Sequence, residues 1–161
     1  MNSRDEALHD GSDTYEFGCQ GLVVRIDVAG AVSKYHATFT TAGGQFATVY
    51  SDTLPRPKQG LLLRGDGMWA DHECETPYEH WSVGLEAFAV VTAELPVGGL
   101  SEIRGDLTPM GLDLEWTTSG EVDMNPNGYF MPCVVVGEIL YGVDAIDIDC
   151  VGWRSHSWRS A

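Results

Sequence analysis

Apolar residues recur at every second position along most of this chain. In Leu22–Val28 they are Leu22, Val24, Ile26 and Val28, with Arg25 and Asp27 between them. Tyr35, Ala37 and Phe39 alternate with Lys34, His36 and Thr38, and Ile146, Ile148 and Cys150 alternate with Asp147 and Asp149. Leu112, Leu114 and Trp116 alternate with Asp113 and Glu115, while Trp81, Val83, Leu85, Ala87 and Ala89 share one face of the longest apolar stretch. Successive strand side chains point to opposite faces, so this rhythm buries one face and wets the other; a helix would need a period near 3.6. Turn signals separate the runs: Gly30, Gly43-Gly44, the two prolines of Leu54–Gln59, Pro96 with Gly98-Gly99, Asn125–Gly128 and Tyr141-Gly142. Gly60–Trp69 reads as one strand interrupted at Gly65 and Gly67. Short strands at this spacing predict an all-β fold, an antiparallel barrel or sandwich of about 8–10 strands.

A chain of 161 residues fits one domain and needs no disulfide to hold its core. Residues 1–16 are polar and read as a solvated N-terminal tail, with a helical turn around Asp5 to His9; a single β-barrel domain is expected over 17–161. The net charge of −15 would repel a phosphate backbone or an anionic membrane surface, so nucleic acid is not an expected partner. No run reaches the ~18–20 apolar residues of a membrane helix, so no membrane span is expected, and the polar N-terminus lacks a signal-peptide core. These features predict a cytoplasmic protein. Cys19, Cys74, Cys133 and Cys150 form no C-x-x-C pair and read as small buried apolar residues.

Three groups of residues carry possible chemistry. Asp71-His72-Glu73-Cys74-Glu75, with His80, offers metal-ligand types, but the spacing fits no standard zinc arrangement and an acidic surface loop accounts for it. Glu86, Asp113 and Glu115 sit on polar strand faces, where solvation is their simplest role. The C-terminal run Gly152-Trp153-Arg154-Ser155-His156-Ser157-Trp158 places Arg154, His156 and Trp158 on one face if it continues the last strand. A histidine beside tryptophans can exchange a proton near neutral pH, and the rings can hold an apolar or cationic species. Neither a nucleotide-binding glycine motif nor a phosphate loop nor a nucleophile elbow is present, so no metal and no cofactor are expected.

Three segments together resemble a known family. Tyr78-Glu79-His80-Trp81-Ser82-Val83-Gly84-Leu85-Glu86-Ala87-Phe88, Gly111-Leu112-Asp113-Leu114-Glu115-Trp116 and Gly152–Trp158 are similar, in order and spacing, to stretches of the bacterial lipocalin-like proteins that include carotenoid 1,2-hydratase (hydroxyneurosporene synthase) and AttH. The resemblance implies a lipocalin/calycin-like barrel, often two in tandem, around an apolar pocket. In the hydratase branch water adds across an isoprenoid double bond by acid catalysis, and the proposed His and Trp match His156 and Trp158. The signature aspartate is Ser155 here, the following glycine is Arg159, and the Tyr and Asp that complete the site on later strands have no counterpart after Ala161.

The resulting expectation is a binder of a hydrophobic, isoprenoid- or polyketide-like small molecule. Trp158, Trp153, Arg154, Trp81 and Trp116 would shape the pocket. Two alternatives stand beside it: an acid-catalysed lyase or cyclase using His156 as the catalytic residue, and a structural β-domain with no pocket. The resemblance to a family with two barrels in tandem also implies a homodimer, because a second copy could cover the open edge and the pocket.

Overall fold

The computed structural model describes residues 6–160. Its strands are β1 (Ser12–Cys19), β2 (Leu22–Ala29), β3 (Val32–Thr40), β4 (Phe46–Pro55), β5 (Leu61–Gly65), β6 (Met68–Thr76), β7 (His80–Thr92), β8 (Asp106–Thr118), β9 (Asp123–Asn125), β10 (Gly128–Tyr141) and β11 (Asp144–Arg159). A single 3-10 turn at Leu100–Glu102 is the helical element between β7 and β8. The fold is all-β, as the alternation predicts, and every pairing is antiparallel. No helix among the described residues is long and apolar enough to cross a membrane.

Eight strands close a ring in the order β4-β3-β2-β1-β11-β10-β8-β7 and back to β4. β7 is the junction. One edge pairs with β8 from His80 to Val91, while the other carries β6 along His80–Ala87 and β4 only at Val90–Thr92. The β5–β6 hairpin therefore leaves the ring as a flap beside the far half of β4. The inward faces of the strands fill the barrel. Trp116, Tyr35, Phe17, Ile26 and Leu114 are fully buried, and Phe17 meets Trp116 edge-on with ring centroids 5.5 Å apart.

Close strand contact explains one glycine. At Gly137 the backbone takes φ 134, and a Cβ would overlap the Asp113 carbonyl across the β10–β8 ladder. A side chain would block the pairing at this bend.

Three expectations change. The polar tail expected over 1–16 ends earlier: β1 begins at Ser12, and Glu6 and Asp13 are buried, because its polar atoms find partners inside the barrel mouth. Met1–Asp5, including the start of the helical turn expected at Asp5, lie outside the described residues. Gly60–Trp69 is not one strand, since the Gly65–Met68 register turns it into the β5–β6 hairpin. Asp71–Glu75 is not a surface loop but part of β6, and its alternation sends His72 into the core while Glu73 stays exposed.

Candidate functional site

The C-terminal run is the last half of β11, and period two carries Arg154 and His156 inward, with Trp158 half-buried beyond them. Tyr15 of β1 and Tyr129 of β10 lie in register with His156, one on each side. Tyr15 stacks on the imidazole at 3.8 Å between centroids, and Tyr129 meets it edge-on at 5.3 Å. All three belong to the barrel mouth where β1, β7 and β10 begin and β6 and β11 end.

The segment before β1 crosses this mouth and inserts Glu6. One carboxylate oxygen, Oε1, accepts from Arg154 Nη1 at 2.5 Å and from the Tyr129 hydroxyl at 3.0 Å. The other, Oε2, accepts from the Tyr78 backbone N–H at 2.6 Å, Trp81 Nε1 at 3.2 Å and Cys74 Sγ at 3.3 Å. The Tyr15 hydroxyl donates to the Glu6 carbonyl at 2.7 Å. Burial alone would raise the Glu6 pKa, but the Arg154 charge and hydrogen bond, with the Tyr78 and Trp81 donors, outweigh it and hold the carboxyl below its ordinary value. Arg154 also lies over the Trp81 ring, with Cζ 5.3 Å from the centroid.

A second buried carboxylate holds the other side of His156. Asp13 Oδ2 is 2.6 Å from His156 Nε2 and 3.1 Å from His9 Nδ1, and its Oδ1 accepts from the His9 backbone N–H. Burial raises Asp13, yet the hydrogen bonds from His156 and His9 bring it below the usual aspartate range. His156 itself is lowered by burial, against the opposing pull of Asp13. His9 stacks on Trp158 at 4.3 Å.

Glu6, Tyr129, His156 and Asp13 thus form one chain of hydrogen bonds, with Tyr129 Oη 3.0 Å from His156 Nδ1. Counting protons defines what it can do. A neutral imidazole gives its one N–H to Asp13, and the single Tyr129 proton then serves either His156 or Glu6. A protonated imidazole donates at both nitrogens, and Tyr129 turns its proton to Glu6. Where Tyr129 serves His156, proton uptake reverses it; where it already serves Glu6, the uptake adds His156 as a donor to its oxygen.

The chain of hydrogen bonds ends at two openings. Glu6, Tyr15 and Trp81 line a cleft of about 810 Å³ between the crossing segment and the β5–β6 flap, together with Leu8, Pro57 and Leu61. Asp13 and Trp158 line a second groove of about 890 Å³, whose other walls include Arg25, Asp27 and Lys34. His72 also lines the first cleft. Its Nε2 meets the Tyr35 hydroxyl at 3.1 Å, while its Nδ1 is buried without a partner among the described residues. Burial drops its pKa to about 3.

Two groups bring metal-ligand types together: His9, Asp13 and His156 in the mouth, and the partly exposed Glu75, His80 and Glu115. In the first, 2.6 Å between Asp13 Oδ2 and His156 Nε2 is a hydrogen-bond distance. Ligand atoms around a tetrahedral zinc ion stand about 3.3 Å apart.

The residues singled out in the sequence do not all meet. Trp81, Arg154, His156 and Trp158 gather at the mouth. His156 lines neither opening; Asp13, Tyr15 and Tyr129 enclose it. Trp116 lies in the core, donating to the Gly18 and Trp153 carbonyls at 3.2 and 3.1 Å. Trp153 lies on the outer face, stacked on Phe130 and over Gly18. Glu86, Asp113 and Glu115 are exposed, as their strand face predicts. Sequence reasoning missed Glu6, Asp13, Tyr15 and Tyr129. For Asp13 and Tyr15 a signal existed, since Asp13, Tyr15 and Phe17 alternate with Thr14 and Glu16. No family model, curated protein or solved structure matches the chain.

Proposed function

We propose that this protein binds a small, largely apolar molecule at the barrel mouth. The observation that carries the reading is the cleft of about 810 Å³ in which Leu8, Leu61, Pro57, Tyr15 and Trp81 supply an apolar wall, facing a polar rim of Lys58, Gln59, Asp71, Glu73 and Glu75 with Glu6 and His72 buried beneath. Ligand sites usually combine this volume with a mainly apolar lining and a few fixed polar groups. The barrel interior is filled by aromatic side chains, so the ligand would sit at the mouth and not in the lumen. Titration calorimetry with decanol tests this directly. Saturable binding, weakened at least about tenfold by Leu8→Ser through lost apolar contact, is expected; no saturable heat with the wild type would contradict it.

A second reading, an acid-catalysed lyase or cyclase, draws support from the Asp13–His156–Tyr129–Glu6 chain. In this reading His156 holds the proton and Tyr129 passes it to Glu6, which faces the cleft. A ligand recovered from the native host would then exchange or gain deuterium in D₂O with the wild type. His156→Gln, which cannot hold the proton, would stop the exchange while keeping the fold; equal exchange in the variant would sink the reading.

A cytoplasmic setting belongs to the proposal, supported by four free cysteines. So does a homodimer. Its support is the outward apolar stripe of Phe130, Val134, Val136 and Val151 on the paired strands β10 and β11.

A further inference from the structure

The Glu6 carboxylate sits in a receptor that other parts of the chain build for it. Donors converge on its two oxygens from β6 (Cys74), the β6–β7 turn (Tyr78), β7 (Trp81), β10 (Tyr129) and β11 (Arg154). Glu6 itself belongs to no strand, since the ladder begins at Ser12. Among the described residues its backbone and neighbours are tied down by separate bonds, besides the His9 stack on Trp158 and the packing of Leu8 on the core. These run from the Tyr15 hydroxyl to the Glu6 carbonyl, from Arg56 Nη2 to the His9 carbonyl at 3.1 Å, and from His9 to Asp13. The receptor is thus fixed by the barrel, and its occupant hangs on a loop.

Three observations point beyond a purely structural ion pair. Arg154 is 2% exposed, yet its Nε and Nη2 have no hydrogen-bond partner among the described residues, because Glu6 engages Nη1 alone. A carboxylate with no main-chain tether can take the paired-donor edge of a guanidinium, the geometry in which arginine binds carboxylates best. Tyr78 adopts φ 62, a left-handed conformation costly for a bulky residue, and in it the backbone N–H donates to Glu6. Strain held in a packed turn is a mark of functional sites. Finally, the receptor opens onto the cleft, for Glu6, Ala7 and Leu8 form part of its wall, with Lys58 as the cation and Asp71, Glu73 and Glu75 as the carboxylates of its rim.

We infer that the barrel mouth is a binding site for an organic carboxylate with an apolar body, and that Glu6 is its resident internal occupant. This rests on the proposed apolar cleft and adds the polar group of its ligand. The incoming carboxylate displaces Glu6 from Arg154, Tyr129, Trp81 and the Tyr78 N–H, and the apolar body lies along Tyr15, Trp81 and Leu61. No bond is made or broken. Because the binding-competent state is the fraction with Glu6 withdrawn, the apparent affinity of the wild type is reduced by that fraction. Removing the Glu6 carboxylate abolishes that reduction.

The test is titration calorimetry of decanoate and of decanol, the same chain without the charge, into full-length wild type, Glu6→Ala and Glu6→Gln. Decanoate is expected to bind Glu6→Ala at least about tenfold more tightly than wild type, the worth of a hydrogen bond to a charged group. Glu6→Gln, which keeps the shape and loses the charge, shows a smaller gain in the same direction and carries the test if Glu6→Ala does not fold. Decanol, which offers no charge to Arg154, is expected to change its affinity across the three forms by much less than decanoate does. Equal decanoate affinity in the folded variants and the wild type, or an equal gain by decanol, overturns the inference. Decanol binding without a decanoate gain leaves the apolar cleft standing and removes the carboxylate site. A decanoate gain with no decanol binding does the reverse.

Discussion

His72 is the residue whose burial has the clearest consequence in solution. It sits on β6 with 1% exposure, accepts from or donates to Tyr35 at Nε2, and meets Phe17 edge-on at 5.0 Å. Burial holds its pKa at about 3, well under the 6.5 of an exposed imidazole. Below pH 6.5 the unfolded chain takes up a proton that the folded chain refuses. The stability is therefore complete above 6.5 and is lost as pH falls toward 3, by about 1.4 kcal/mol per pH unit for one such group. His156, also lowered, acts in the same direction, and Glu6 and Asp13 add their own loss once pH falls into the ordinary carboxylate range. His72→Gln keeps a hydrogen-bond partner for Tyr35 and does not titrate. Its denaturant midpoint is expected to fall less steeply than that of the wild type between pH 6.5 and 5; identical slopes would refute the assignment. Sequence reading placed His72 in an acidic loop because the flanking Asp71, Glu73 and Glu75 hide the alternation that puts it inside.

At the scale of elements, β10 and its neighbours make the sharpest stability prediction. Gly137→Ala would press a methyl group onto the Asp113 carbonyl at φ 134, whereas Gly44, at φ 80 in the β3–β4 turn, has open space around it. Gly137→Ala is expected to cost about 2–3 kcal/mol and Gly44→Ala about 1 kcal/mol, read from denaturant unfolding. Equal losses would mean that the close approach at Gly137 is relieved by a shift of the strand. Most strands were legible, because one wet face leaves the period-two pattern visible in β2, β3, β7, β8 and β11. The inward set of Arg154, His156 and Trp158 followed from that period too. The start of β1 did not, because its inward residues include Asp13, and a carboxylate reads as solvated until its hydrogen-bond partners are known. Glu6 gave no pattern at all. Its burial depends on donors from Cys74 to Arg154, which only the folded chain brings together.

The whole molecule joins a filled barrel to a polar, aromatic mouth. Its net charge of −15 keeps the outer surface solvated, while in the mouth Glu6 is paired with the Arg154 charge and Asp13 is held by hydrogen bonds from His156 and His9. Aromatic side chains fill the barrel, and the segment from Glu6 to Gly11 lies outside the ladder, so its displacement breaks no strand pairing. In the proposed reading this mouth is a ligand site, with Glu6 as the occupant and the adjoining cleft as the place of the apolar body. The measurement that meets this claim most directly is native mass spectrometry of the protein purified from its own host, with bound small molecules extracted and identified. The account predicts a stoichiometric apolar organic ligand, bearing a carboxylate if the Glu6 receptor is its polar anchor. A protein that is ligand-free both from the host and after incubation with decanol and decanoate would contradict it.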